Sequence, residues 1–298
     1  MDIVPAAPDT DQRLSYLLPE FINLSLPNAR FSSHQWIRRN GNQVMTITAG
    51  SGTGPDQADS FVPYGKYARA ALVLLCTEAV RTGNPVISIS DTYRGFMKQL
   101  GLGYSRASSV EAVRQMQALA ASTIAVNKTV TDDDGEIDSI TERYVISSRD
   151  RMIFTADRSG DLSEKKPSTI ELSPDFMRMI ATSGRVPVRT DVWMHLLRTS
   201  RAAMTLDIYL WLAYRLHHLK APARIGWEQL RQQFGSDAEM KSFKQKFRQA
   251  LAEARQVYPE ANVSEFGSAA RGGTHGIMLR MSKNALDSVL LCSPEQDL

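Results

Sequence analysis

The most regular apolar spacing lies toward the end of the chain. At about 100° per residue, Met240, Phe243, Phe247, Ala250, Leu251, Ala254 and Val257 share one stripe, which predicts an amphipathic helix over Glu239 to Tyr258, stopped by Pro259. Upstream, Leu206 to Leu219 within MTLDIYLWLAYRLHHLK is apolar on nearly every side and predicts a buried central helix. Between them, Arg224 to Gly226 reads as a short strand, Trp227 to Phe234 as a helix, and Gly235 with Ser236 as a turn. Asn262 to Phe266 and Gly276 to Met281 then predict two strands around the glycine-rich tip GSAARGGTHG.

The first half repeats this order. Tyr67, Ala70, Ala71, Leu74, Leu75 and Ala79 recur at helical spacing in KYARAALVLLCTEAVRTG, with Gly83 and Asn84 as the stop. Val86 to Ile89 predicts a strand, and Ser90 or Asp91 is the expected N-cap of a helix DTYRGFMKQL before the turn Gly101 to Gly103. In the helix that follows, Val110, Val113, Met116, Gln117, Ala120 and Ile124 are expected to face inward. Ser108, Glu111, Arg114, Gln115, Ala118 and Ser122 are expected to face outward. Two alternating runs flank the turn signal Asp132 to Gly135, and RMIFTA reads as a further strand.

Helix, short strand, helix, turn, helix and hairpin is the order of a winged-helix domain, and an order that recurs is difficult to obtain by accident. The expectation is an α+β fold of two tandem winged-helix domains with β-hairpin wings, in keeping with 298 residues. Residues 1–60 are expected to form an N-terminal arm and linker, holding a strand at Gln43 to Thr48 and ending in AGSGTGPDQADS. Residues 61–160 form the first winged-helix domain, 161–200 a connector with a helix start at Ser173 and Pro174 and a break at Pro187, and 201–298 the second winged-helix domain.

Charge narrows the chemistry only through its placement. There are 35 Lys and Arg against 32 Asp and Glu, a net +3, so any footprint on a polyanion must come from clustering. Such a cluster exists on the last long helix, where Lys241, Lys244, Arg248 and Arg255 share an outward sector bordered by Gln245 and Gln249. Lys246 adds charge from the other flank of the apolar stripe, and Arg271 sits in the glycine-rich tip. Lys and Arg at these places can meet phosphates or guanine in a major groove, and Gln can read adenine. A solvated amphipathic helix with an ordinary basic face would give the same pattern. Its place as the third helix of a winged module favours double-stranded DNA. Arg106, Arg114 and Gln115 hold the equivalent place in the first module, but Glu111 on that face would oppose a phosphate, so this module is assigned mainly to subunit contact in a homodimer.

Other chemistries find little support. Gly50 to Gly54 lacks the Lys and Ser or Thr of a phosphate loop. His217 and His218 are adjacent and face apart, Asp132 to Asp134 lacks the spaced ligands of a calcium loop, and no cofactor or metal is expected. An enzymatic rival, a rolling-circle nickase, needs a His-x-His metal pair that is not present, and Tyr209 and Tyr214 lie in the buried helix. A winged-helix transcriptional repressor remains an alternative, because fold does not fix function. Met1 to Pro8 carries Asp2 and prolines where a secretory leader needs basic and apolar residues, and no apolar run approaches the roughly 20 residues of a membrane span. Two cysteines, Cys76 and Cys292, suit a reducing, cytoplasmic setting.

Several stretches resemble the plasmid-encoded RepA family of replication initiators. They are WIRRNG at Trp36 to Gly41, VPYGKYARAALVLLCTEAVRTGN at Val62 to Asn84, GFMKQLGL at Gly95 to Leu102, TLDIYLWLAYRLH at Thr205 to His217, and IGWEQLRQQFG followed by KSFKQKFRQAL. The resemblance implies a non-enzymatic protein that binds repeated origin sequences (iterons), opens the duplex with a host replication initiator, recruits the host helicase and regulates its own synthesis as a dimer. By position, Lys241 to Arg255 would be the second recognition helix.

Overall fold

The structure, a computed structural model, describes residues 13–50, 60–131, 137–152, 168–234, 236, 238–267 and 275–287. Among these the chain is mixed α and β, with antiparallel sheets and helices packed on one contiguous apolar cluster.

The segment read as an arm and linker carries four elements where it is described. They are β1 (Leu14–Leu17), α1 (Pro19–Asn23), β2 (Gln35–Asn40) and β3 (Gln43–Thr48). Next come α2 (Gly65–Thr82), β4 (Val86–Ile89), α3 (Tyr93–Gln99), α4 (Arg106–Ala121), β5 (Thr123–Thr131), β6 (Ile137–Val145) and β7 (Ser147–Arg151). Of the strand expected at RMIFTA only Arg151, the last residue of β7, and Met152 are described; residues 153–156 fall outside the described set, as do the turn 132–135 and most of the linker 49–60.

Helix α2 is buried on almost all sides and ends at Gly83, whose φ of 64° is a left-handed cap that suits glycine. The N-cap of α3 is Thr92 rather than Ser90 or Asp91: its side chain accepts from the Gly95 amide at 3.0 Å. Asp91 serves a tertiary link instead, accepting from the Ser168 amide at 2.7 Å. The buried face of α4 is Ser109, Ala112, Val113, Gln115, Met116, Leu119 and Ala120, a rotated version of the expected one, and Val110 is exposed.

Residues 168–200 supply β8 (Ser168–Leu172), α5 (Pro174–Thr182), β9 (Val186–Arg189) and α6 (Thr190–Thr199). Ser173 caps α5 by accepting from the Phe176 amide at 3.0 Å. This stretch is woven into the elements before it. Strand β8 lies between β4 and β7, and β9 pairs with β1, from Leu14 against Arg189 to Leu17 against Val186. Pro187 is accommodated because β9 pairs on one side only. The remaining sheet of this half runs β2-β3-β5-β6.

The final stretch comprises α7 (Ala203–His217), β10 (Ala223–Gly226), α8 (Trp227–Gln233), α9 (Met240–Val257), β11 (Val263–Phe266) and β12 (Gly276–Leu279). Helix α7 buries every residue from Ala203 to Ala213, in keeping with a sequence apolar on nearly every side, and Thr205 and Asp207 are buried with the rest. The sheet order is β10-β12-β11. Gly276 permits the β10 contact, since a Cβ there would stand 2.0 Å from the Ile225 carbonyl oxygen.

The two halves pack through α1, α2, α6 and β9 against α7, and two contacts of buried arginines add to that packing. Arg69 of α2 and Asp207 of α7 form an ion pair at 2.6 Å, each 5% exposed. Strand β2 packs on α8, where buried Arg38 stacks 4.4 Å from the Trp36 ring and donates to the Phe234 carbonyl at 3.3 Å. Cys76 is sealed within α2, and burial pushes its thiol up to about 12. A Cys292→Ser protein is therefore expected to resist thiol-specific labelling at pH 8 until it is unfolded, because only the thiolate reacts. Rapid labelling of the native protein would show that α2 opens readily.

Candidate nucleic-acid interface

The α9 stripe is buried as its spacing predicts: Phe243 and Phe247 are fully enclosed, with Ala250, Ala254 and Val257 behind them. Trp227, the first residue of α8, packs edge-on against both rings, 6.3 Å from Phe243 and 5.6 Å from Phe247. This anchor fixes the roll of α9. What then faces outward is decided by the sequence register, and Lys241, Gln245, Lys246, Arg248, Gln249 and Arg255 are all exposed.

Two of the cations are held by the neighbouring hairpin. Arg248 donates from Nε to Glu265 Oε1 at 2.6 Å and from Nη2 to Oε2 at 2.7 Å, with Glu265 on β11. The carboxylate raises the Arg248 pKa, and the guanidinium hydrogen bonds pull the Glu265 carboxyl below its usual range. Lys244 Nζ lies 2.8 Å from His275 Nε2, and the His275 carbonyl accepts from the Trp227 amide at 3.2 Å. An ammonium can only donate, so the His275 ring nitrogen is the acceptor in this contact. Both cations also approach the Trp227 ring, Lys244 at 5.6 Å and Arg248 at 5.3 Å.

Lys246 points elsewhere. With Gln249 and Glu253 it lines a groove of about 540 Å³ whose other wall holds Arg30 and Arg201. Arg271 lies outside the described residues. Among the residues singled out by sequence, then, Lys241, Lys244, Gln245, Arg248 and Arg255 are brought onto one side of α9, and Lys246 onto its opposite flank. Trp227, Glu265 and His275 were not singled out. Trp227 opens a helix and reads as core; Glu265 and His275 become partners of α9 only through the sheet order, which local pattern does not reveal.

In the first half, Arg106 is exposed at the start of α4. Arg114 pairs with Glu111 at 3.3 Å and lies 5.5 Å from the Phe61 ring. Gln115 is corrected: expected outward and able to touch DNA, it is fully buried, accepting from the Tyr64 amide at 2.8 Å and donating to Glu111 Oε1 at 2.7 Å. The lead-in to α2 covers this part of α4, so a polar residue on it serves the interior. Tyr64 donates to the same Glu111 oxygen at 3.1 Å, and its hydroxyl pKa is raised by burial and by that carboxylate.

A family model described as plasmid-encoded RepA protein matches residues 62–229, more than half of the chain. The chain belongs to the plasmid-encoded RepA protein family. The RepA match begins just ahead of α2 and ends within α8, so α9 and the β11–β12 hairpin lie beyond it. Curated proteins give no sequence match. Two crystal structures of domains 2 and 3 of RctB are similar at 11% and 10% identity. They cover 88% and 89% of this chain and 97% and 96% of those chains, each at a TM-score of 0.49. Among the described residues, no helix is long and apolar enough to cross a membrane, and no group of three or more His, Cys, Asp or Glu is placed to hold a metal ion.

Proposed function

We propose that this RepA-family chain is a plasmid replication initiator that binds repeated origin DNA and acts by binding, not by cutting. The observation that carries the reading is the exposed cationic side of α9 beside a hairpin that touches it through Arg248–Glu265 and Lys244–His275. The order α7, β10, α8, α9, β11, β12 with its β10-β12-β11 sheet supports treating residues 201–298 as a winged-helix unit with α9 as the reading helix. In the same reading α2, β4, α3, α4 and the β5–β6 hairpin form a first winged unit. Its cations are partly engaged, Arg114 by Glu111, which suits dimer contact and autoregulation more than DNA contact. Origin opening with a host initiator, and helicase recruitment in the cytoplasm, follow from the family resemblance.

Of the two α7 tyrosines, Tyr209 is ill-suited to a nicking reaction. Tyr209 is 1% exposed, and burial pushes its hydroxyl pKa well above the ordinary value, which leaves a poor and unreachable nucleophile. A footprint of the purified protein on its own replicon, with magnesium present, tests the reading. Protection of direct repeats without strand cleavage is expected. A single protected inverted repeat at a promoter would point to a repressor, and a nick would overturn the binding mechanism.

A further inference from the structure

Arg248 is the most firmly held of the outward cations. Its Nε and one Nη2 proton are spent on Glu265, through a two-bond fork of 2.6 and 2.7 Å, and its guanidinium lies 5.3 Å from the centre of the Trp227 ring. A guanidinium carries five N–H donors, so the fork leaves both Nη1 protons and the second Nη2 proton directed away from the carboxylate. Two of those remaining donors, one on Nη1 and the second on Nη2, form a second parallel fork, the geometry that matches O6 and N7 of guanine in the major groove. The Arg248–Glu265 pair also carries no net charge, so as a unit it attracts a polyanion weakly while keeping its directional donors.

We propose that Glu265 is a positioning residue for sequence reading: it aims Arg248 at a guanine edge, so that this pair supplies specificity and the unneutralised cations of α9 supply affinity. The inference rests on α9 being the DNA-contacting helix. A buttressed arginine that reads a base behaves differently from one that grips a phosphate. Removing it lowers preference for the right sequence and leaves the salt dependence intact, whereas loss of a phosphate contact reduces the salt slope by about 0.9 and weakens all sequences alike.

The test uses the full-length protein, its Glu265→Gln, Arg248→Ala and Lys241→Gln variants, and two fluorescent duplexes, one carrying a repeat protected on its own replicon and one with that repeat scrambled. Affinities are measured over a salt series. Glu265→Gln is expected to lower the repeat-to-scrambled affinity ratio roughly tenfold while leaving scrambled binding unchanged or tighter, and Arg248→Ala should lower the ratio similarly with an unchanged salt slope. Replacing each guanine of the repeat by 7-deazaguanine, which lacks N7, should reveal one position where the wild type weakens and Arg248→Ala does not. If Glu265→Gln instead tightens both duplexes equally with the ratio intact, Glu265 is only a negative charge facing DNA and the proposal fails. If Lys241→Gln and Arg248→Ala both leave both affinities and the salt slope unchanged, α9 is not at the interface and the parent reading fails as well. The Arg248–Glu265 pair is half-exposed, so neither variant threatens folding.

Discussion

Replacing Asp207 by alanine is expected to lower the unfolding free energy by about 3–5 kcal/mol, read as a shift in the urea midpoint. The reason lies in what Arg69 would be left with. Its guanidinium is almost wholly buried and donates to both Asp207 oxygens at 2.6 Å, to the Leu26, Pro27 and Gly65 carbonyls at 2.6–3.0 Å, and to Asn28 Oδ1 at 3.2 Å. Alanine removes the only carboxylate among these partners, so a charge stays out of water with neutral acceptors alone. Asp207→Asn should cost less, since it keeps the shape and one acceptor. Converting both residues to apolar ones would restore stability only in part, because the Leu26 carbonyl and the Asn28 side chain would lose this donor, while the Pro27 carbonyl keeps the Gly65 amide at 2.9 Å. A midpoint for Asp207→Ala within about 0.5 kcal/mol of the wild type would mean that Arg69 finds water.

That ion pair also illustrates where sequence reading stops. Arg69 and Asp207 stand in two helices that are each legible from apolar periodicity, yet they are 138 positions apart and nothing local announces their pairing. The elements that were legible are those whose signal is internal: the α9 stripe, the apolar α7, and the strands around β10 to β12. What was missed depends on partners distant in the chain. LSYL is too short to declare itself a strand, and β1 becomes one only against β9. The 100° periodicity puts Gln115 on the outward face with Glu111 and Arg114; it is buried because the true face is rotated and Tyr64 and Glu111 satisfy its amide. In the candidate site, the basic sector followed from a 100° step alone, whereas Glu265, which changes the meaning of Arg248, entered only with the hairpin folded beside α9.

The division of labour on α9 makes the second large effect specific. Changing Lys241, Lys246 and Arg255 together to glutamine is expected to reduce DNA affinity on the order of 10²–10³-fold near 0.1 M salt and to lower the salt slope by about 3, since each neutralised phosphate contributes roughly 0.9. All three are exposed, so the folded state should survive, and the urea midpoint should stay near that of the wild type. Specific and scrambled duplexes should weaken together, unlike the outcome expected when Glu265 or Arg248 is changed. The single variants then locate the duplex. Lys241 and Arg255 lie on one flank of the helix and Lys246 on the other, beside Arg30 and Arg201. Equal losses from both flanks would place α9 deep in a groove with a strand on either side. Losses from Lys241 and Arg255 alone would mean that the helix meets DNA on its hairpin side, leaving the Lys246 groove outside the interface. An unchanged slope for the triple variant would remove α9 from DNA altogether, and with it the reading that the basic sector was selected for phosphate.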